Sequence, residues 1–421
     1  MTTIGLAGAG TIGSGLIRLL HSIPAARELR IKTILVRDPS KPRQGLPPNA
    51  TITTRPDDLI NDPEIDVVVE LLGGVEESFK LVSRALAAGK AVVTANKNLL
   101  AERGPELFAL AARHRVALGF EASVCGGIPI IRVLQEALRA DRITSLEGIV
   151  NGTTNYLLTR MSEERAAYAD CLADAQRLGF AEPDPDYDVS GKDAVCKAGI
   201  LATLAFGAYV DFRKIPTTGI DTLDLEDIRQ AEAMGYRIKL IASARLSPEG
   251  RLEASVGPIL LPLDHPLASV RMEYNAVLVE SEGLVKTLVS GKGAGPAPTS
   301  VSLLADLLDI AEGRGRIPQA DHPFLGRPFD LGKEASSSRY YLRLSVPDRP
   351  GILAQVAGLF AVQQISIASV LQPEVPDADP QALVPLILTT HTTSQGRLDL
   401  VLAALAREGW GRSVVLRIQE K

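Results

Sequence analysis

The chain has 421 residues, enough for two to four domains of about 100–200 residues each. Hydrophobic residues make up 46 % and charged residues 23 %, a balance that excludes a disordered, collagen-like or highly charged tail protein. Lysine and arginine number 45 against 50 acids, a net charge of −5 with no basic stripe to meet a nucleic acid. Three cysteines (Cys125, Cys171, Cys196) without CxxC spacing are too few for a disulfide framework and read as reduced thiols of a cytoplasmic protein. No cation precedes Arg18, so the charged n-region of a signal peptide is missing. The longest apolar stretch, 198–210, is too short to cross a bilayer.

In chain order, 2–7 reads as a strand, 12–20 as a helix, 31–36 as a β-branched strand and 65–71 as a continuous apolar run. Short strands at 91–94 and 116–120 each follow an Ala/Leu-rich helical stretch. Buried strands separated by helices predict a parallel sheet. From about residue 128 the pattern changes to α+β: helices at 128–138, 153–178 and 193–206, several strands within 237–286, and an amphipathic helix at 299–311. The Gly-, Pro- and Ser-rich stretch 326–338 reads as a linker. The last unit runs strand 340–346, helix 351–360, strands 365–371 and 384–390, helix 398–407 and strand 414–418. That βαββαβ order is ferredoxin-like, with 372–380 as an exposed loop.

Gly8-Ala9-Gly10-Thr11-Ile12-Gly13 fits G-x-G-x-x-G between a strand and a helix, the context in which backbone N–H groups meet a pyrophosphate. The plain alternative is a glycine-rich turn. The second strand ends Val36-Arg37-Asp38: Arg37 suits the 2′-phosphate of NADP, and Asp38 keeps NAD open. Thr94-Ala95-Asn96-Lys97 follows a strand end, where α/β sheets place their sites. The bend from Glu121 to Pro129 either exposes carbonyl oxygens to a monovalent cation or simply turns into the next helix, and spacing alone favours the turn.

The densest signal runs from Gly179 through Glu182, Asp184, Asp186 and Asp188 to Asp193 and Lys197. Asp193 and Lys197 are i,i+4 neighbours on a helix that is apolar nearly all round, which marks it as buried. Two charges there are costly unless paired or facing a polar cavity. They read as a structural ion pair, or as a lysine proton donor held by an aspartate in a substrate cavity.

Together these pieces resemble the homoserine dehydrogenase family, in its bacterial form with a C-terminal ACT domain. The resemblance covers essentially the whole chain through GLAGAGTIGSG, VVVELLGG, GKAVVTANKNLLA, FEASVCGGIPII, GIVNGTTNYLLTRM, AQRLGFAEPDPDYDVSGKDAVCK and GKGAGPAPTS. It implies reversible hydride transfer between NADP, or NAD, and L-aspartate 4-semialdehyde, giving L-homoserine on the way to threonine and methionine. It also implies Lys197, Asp193 and Lys97 as catalytic residues. Gly8, Gly10, Thr11, Ile12, Gly13, Arg37, Thr94, Lys97, Gly179, Glu182 and Gly295 would contact cofactor; Gly152, Thr153, Glu182, Asp188 and Asp193 would contact substrate. Glu121, Val124, Gly126 and Ile128 match a site for sodium or another monovalent cation, largely through main-chain oxygens, with Cys125 standing where a small residue such as Ala is expected. Ser345 to Leu353 resembles the ACT strand-to-helix loop, D-x-P-G-x-L, with threonine as the expected effector.

The fold expectation is an α/β protein with an N-terminal Rossmann-type parallel sheet (1–130, helix 297–318 packing back on it). An α+β catalytic and dimerisation domain (131–296), a linker (319–338) and a ferredoxin-like ACT domain (339–421) would follow. A homodimer or homotetramer without nucleic-acid or membrane partners is expected. The rival readings are another NAD(P)-dependent enzyme of aspartate-derived metabolites, and a non-catalytic NADP- and amino-acid-sensing protein. The Glu182-to-Lys197 constellation argues against both, and the length leaves no room for a fused kinase.

Overall fold

The computed structural model describes all residues except 44, 248, 332–336, 374–382, 412 and 421. Most of the stretch expected as an exposed loop at 372–380, and part of the expected linker, therefore lie outside the described residues.

The first sheet comprises β1 (Thr2–Ala7), β2 (Leu29–Leu35), β3 (Thr51–Thr53), β4 (Val67–Glu70), β5 (Ala91–Thr94) and β6 (Leu118–Gly119). Its order is β3-β2-β1-β4-β5-β6 and every pairing is parallel. Val67, Val68 and Val69 are fully buried, as a strand covered on both faces requires. The order reverses between β1 and β4, the crevice where open α/β sheets bind ligands. Helix Pro296–Ala311 returns to this sheet and packs on helix Thr11–Ser22. Contact is close at Gly15, where a Cβ would lie 2.5 Å from Ser300 Oγ. Leu303, Leu304 and Leu307 join Leu16 and Ile17 in one buried cluster.

The second sheet is built from β7 (Ile143–Ile149), β8 (Tyr236–Leu246), β9 (Leu252–Pro262), β10 (Tyr274–Ser281) and β11 (Val285–Lys292) in the antiparallel order β11-β10-β7-β8-β9. The C-terminal unit adds β12 (Ser337–Pro347), β13 (Ile367–Leu371), β14 (Leu383–Thr390), the short β15 (Thr393–Ser394) and β16 (Val414–Ile418). Its order β16-β12-β14-β13, with helices Ile352–Val362 and Gln395–Arg407, is the ferredoxin-like arrangement. β16 pairs in parallel with β9 (Arg417 opposite Ile259, Ile418 opposite Leu260), so the two sheets run on as one.

Three expectations differ in detail. The stretch 153–178 is two helices, Gly152–Glu164 and Tyr168–Arg177, broken where Arg165 turns left-handed at φ 58°. The stretch 128–138 is a single α-turn, Ile130–Arg132, followed by a π-turn, Val133–Ala137. The stretch read as a linker is pinned at Phe324, which is buried and stacks on Phe108 with ring centroids 4.5 Å apart. Among the described residues no helix is long and apolar enough to cross a membrane.

Candidate active site

The turn after β1 lies at the switch point. Gly8 has φ +104°, and a Cβ there would stand 2.6 Å from the Leu71 carbonyl oxygen. A Cβ on Gly13 would lie 2.2 Å from the Gly8 carbonyl oxygen, so both positions admit only glycine. Gly10 faces open space: nothing comes within 4 Å of a Cβ built there. The helix that follows, Thr11–Ser22, has no side chain capping its first turn. An open cradle beside uncapped N–H groups fits the pyrophosphate of a dinucleotide. Gly295, at φ +124°, begins the helix that packs on this one, and Ser300 Oγ donates within 3.1 Å of the Ile12 carbonyl oxygen. Arg37 is exposed just beyond β2, while Thr94 at the end of β5 turns its hydroxyl inward to Glu70 at 2.7 Å.

Lys97 opens helix Lys97–His114, whose N-cap Asn96 accepts from Leu99 N. It thereby stands beside helix Lys192–Phe206 of the second unit. That helix starts at Gly191, whose φ of +86° and whose Cβ direction (2.9 Å from Thr217 Cγ2) both require glycine. Asp193 sits in its first turn, where the helix dipole favours a carboxylate. Lys197, one turn on, donates to Asp193 Oδ2 at 2.7 Å and to the Val150 carbonyl oxygen at 2.7 Å. Lys97 Nζ lies 3.1 Å from the other oxygen, Asp193 Oδ1, and 5.5 Å from the centre of the Tyr187 ring. One buried carboxylate thus gathers two ammonium groups from two different units.

Burial alone would push the Asp193 carboxyl up and the Lys197 ammonium down. Their mutual attraction outweighs burial in both. Asp193 is held at about 2, with Lys97 helping, and Lys197 is raised above the ordinary lysine value. The pair is fully charged at neutral pH.

Asp188 sits 37 positions after Asn151 in the chain and accepts from its Nδ2 at 2.8 Å and from Thr153 Oγ1 at 3.0 Å. Both partners are neutral, so the carboxylate's charge stays available to a cation. Glu182 is exposed, its carbonyl accepting from Gln176, and no side-chain contact joins it to the lysine pair among the described residues. Gly179 is likewise exposed, left-handed at the end of a helix. Gly152 opens helix Gly152–Glu164, and a Cβ there would lie 2.8 Å from the Glu273 carbonyl oxygen.

The bend 121–128 is buried except at Gly127, which is exposed. The Glu121 carboxylate accepts from Ile131 N and Arg132 N, each at 2.9 Å, and burial pushes it up to about 7. The Gly126 and Ile128 carbonyls each accept one protein hydrogen bond, from Ser302 Oγ at 2.5 Å and Ile130 N at 2.8 Å. A cavity of about 860 Å³, lined by Phe108, Leu134, Leu138, Leu204 and Arg316, lies elsewhere and touches none of Lys97, Asp188, Asp193 or Lys197. Asn151, Tyr187 and the Val150 carbonyl are site groups that the sequence analysis did not single out. An Asn at the junction of an apolar run and a helix is an N-cap signal.

A glycine turn at the switch point of a parallel sheet and a charged lysine–aspartate pair touching Lys97 at the start of the helix after β5 fit the class of NAD(P)-dependent oxidoreductases. Comparison with known proteins narrows the class. Residues 129–308 match the family model described as homoserine dehydrogenase, residues 8–121 that of the homoserine dehydrogenase NAD-binding domain, and residues 340–409 that of the ACT domain. The homoserine dehydrogenase of Pseudomonas aeruginosa is 42 % identical, covering 99 % of this chain and 98 % of its own length. That of Bacillus subtilis is 39 % identical over 96 % and 94 %. The crystal structure of a homoserine dehydrogenase from Thiobacillus denitrificans superposes with a TM-score of 0.89 at 40 % identity, covering 100 % of this chain and 98 % of that one. A hyperthermophilic archaeal homoserine dehydrogenase in complex with NADPH superposes at 0.64 with 25 % identity, covering 75 % of this chain and 99 % of its own. The chain belongs to the homoserine dehydrogenase family. It is an oxidoreductase that interconverts L-aspartate 4-semialdehyde and L-homoserine with a nicotinamide cofactor.

Proposed function

We propose that Lys197 is the proton donor of this reaction, with Asp193 and Lys97 completing a charged triad and Asp188 holding the substrate's ammonium group. The observation that carries the reading is the contact of the buried Asp193 with Lys197 and with the partly exposed Lys97, at 2.7 and 3.1 Å. Held by the glycine turn, a reduced nicotinamide cofactor would supply the hydride that the aldehyde carbon receives. Negative charge then gathers on the aldehyde oxygen, and a preorganised ammonium group stabilises it. Lys197 gives that oxygen a proton, forming the hydroxyl of homoserine. The neutral amine left behind has two hydrogens, one for Asp193 and one for the Val150 carbonyl. Lys97 still balances the Asp193 carboxylate while Lys197 is neutral, and Asp188, together with the exposed Glu182, attracts the substrate's amino end. In the oxidative direction Lys197 takes the hydroxyl proton back.

The glycine cradle would hold the cofactor's pyrophosphate, with Gly179, Glu182 and Gly295 beside it and Arg37 on the 2′-phosphate of NADP. The archaeal relative's NADPH complex supports that preference. Glu121, Val124, Gly126 and Ile128 would lend main-chain oxygens to a sodium ion. The buried Asn275 Oδ1, unpartnered and packed where Gly293 meets Gly126, supports a hard cation at this bend. The turn at Gly351 (φ +94°), opening helix Ile352–Val362, would receive threonine as effector. Exposed Val285 and Leu288 on the edge strand β11, with exposed Leu284 just before it, support a homodimer or homotetramer. Free, buried cysteines suit a cytoplasmic location.

The test is Lys197→Ala. It should lower kcat by ~10² or more, the scale of a lost general acid, while NADPH titrated by fluorescence binds as before. A folded variant with near-wild-type turnover would remove Lys197 from this role.

A further inference from the structure

We infer that Asn151 is a positioning residue for this reaction: its single amide group ties the carboxylate that faces the substrate, Asp188, to the carboxylate that holds the lysines, Asp193. The inference rests on the proposed roles of those residues and adds the element that fixes their spacing.

Asn151 is 4 % exposed and occupies the turn between β7 and helix Gly152–Glu164. Its Nδ2 donates to Asp188 Oδ1 at 2.8 Å and to Asp193 Oδ2 at 2.8 Å, using both amide hydrogens. Its Oδ1 accepts from Thr154 N at 2.8 Å, which settles the orientation of the amide. A flipped amide would aim its oxygen at two carboxylates and its NH2 at an N–H. Few side chains combine two donors with one acceptor on so short a stem. Aspartate keeps the acceptor and loses the donors; serine keeps an acceptor and has one hydrogen.

The main chain beside it does related work, since the Val150 carbonyl accepts from Lys197. Residues 150 and 151 therefore touch Lys197, Asp193 and Asp188 from one turn, and that turn is clamped where Gly152 meets the Glu273 carbonyl. Without the amide, Asp193 keeps Lys197 and Lys97, whereas Asp188 keeps Thr153. Two like charges then lose the donor group that lies between them. Asp188 is the group released, so substrate and proton donor lose their common reference.

Asn151→Ser tests this, because serine preserves helix capping while removing the bridge. The full chain is assayed with L-aspartate 4-semialdehyde and NADPH, beside Asp188→Asn and the double variant. Expected are a wild-type melting temperature and NADPH affinity, with kcat/KM for the semialdehyde down ~10-fold or more, the range of a hydrogen bond to a charged group. The loss should divide between a higher substrate KM and a lower kcat. Effects on KM in the double variant should fall short of the product of the single effects. Wild-type kcat and KM in Asn151→Ser would overturn the inference, as would independent effects in the double variant. Parallel loss of stability and NADPH affinity would overturn the inference and reduce Asn151 to a role in holding the fold. If the serine variant fails to fold, Asn151→Thr, which also caps a helix and carries no amide, answers the same question. An inactive Lys197→Ala beside an unimpaired Asn151→Ser sinks this inference alone; an active Lys197→Ala beside an impaired Asn151→Ser sinks the proton-donor reading instead.

Discussion

Lys197, mostly covered, and the buried Lys239 show how one neighbour decides a charge. Lys197 has a carboxylate at 2.7 Å and stays protonated. Lys239, 1 % exposed on β8, has two neutral acceptors instead, Asn155 Oδ1 at 2.7 Å and the Val270 carbonyl at 2.6 Å. Two acceptors match the two hydrogens of a neutral amine. Burial, aided by Arg237, brings Lys239 down to about 7. Below that pH the folded and unfolded states are both protonated and stability does not respond to this group. Above it the unfolded lysine still carries a proton that the folded one has lost. Stability should therefore rise with pH from about 7 towards the unfolded lysine value of ~10.4, by up to ~1.4 kcal/mol per pH unit. Urea unfolding of wild type and Lys239→Met at pH 7 to 9.5 measures this, and a constant difference between them would refute it. Lys239 carries no sequence signal, because its partners lie 84 and 31 positions away. Asp193 and Lys197 were legible because helical spacing alone puts them on one face. Asn151 was not, because its meaning depends on β7, which the sequence analysis did not mark.

At the scale of elements, the loop after β2 presents an arginine and an already engaged acid. Asp38, the residue that would hold a ribose hydroxyl, turns its carboxylate to Ser40, accepting from N at 2.9 Å and Oγ at 2.6 Å, and those bonds keep it below the usual carboxylate range. Arg43 donates to the Asp38 carbonyl at 2.9 Å. Exposed Arg37 therefore stands beside an acid already engaged within its own loop. NADPH should give the higher kcat/KM, and Arg37→Ala should lose ~10- to 100-fold with NADPH, the worth of a charged hydrogen bond, while NADH changes little. Equal loss with both cofactors would contradict the assignment. The sequence located most strands of both sheets because apolar runs bounded by turns are local signals. It missed β3, a three-residue edge strand too short for periodicity, and β7, whose burial does not alternate. It joined two helices across Arg165 because no Gly or Pro marks that break. It drew a regular helix at 128–138, where Pro129 and the Glu121 carboxylate together shape a single turn.

At the scale of the whole molecule, the C-terminal unit is attached by more than a tether. Asp227, fully buried in helix Leu225–Ala233, accepts from the Tyr341 hydroxyl at 2.9 Å and twice from the Arg343 guanidinium at 2.8 Å. Arg343 also reaches Asp224 at 2.9 Å. Tyr341, Ile387, Val414, Leu416 and Ile418 belong to the same buried cluster as Ile200 and Leu201 of helix Lys192–Phe206. The sequence suggested a separable unit because a Gly/Ser/Pro-rich stretch precedes it; the contacts that join it are distant in sequence and left no local trace. Every residue of the candidate site precedes Ser337, so a chain ending before Ser337 should retain turnover. It should also melt earlier than the full chain, since truncation bares the β9 edge and strips Asp227 of three donors. In the full chain Asp227→Ala, which leaves Arg343 only the half-exposed Asp224, should cost ~1–3 kcal/mol, the scale of lost hydrogen bonds to a charged group. An effector shifts activity only by binding one arrangement of these units better than another, and this junction is where the two arrangements would differ. Threonine at millimolar concentration should therefore change the rate of the full chain and leave the truncated one unaffected. An intact chain that neither binds threonine by calorimetry nor changes rate would leave the unit a purely structural role, and a truncated chain that folds without turnover would place part of the chemistry beyond Ser337.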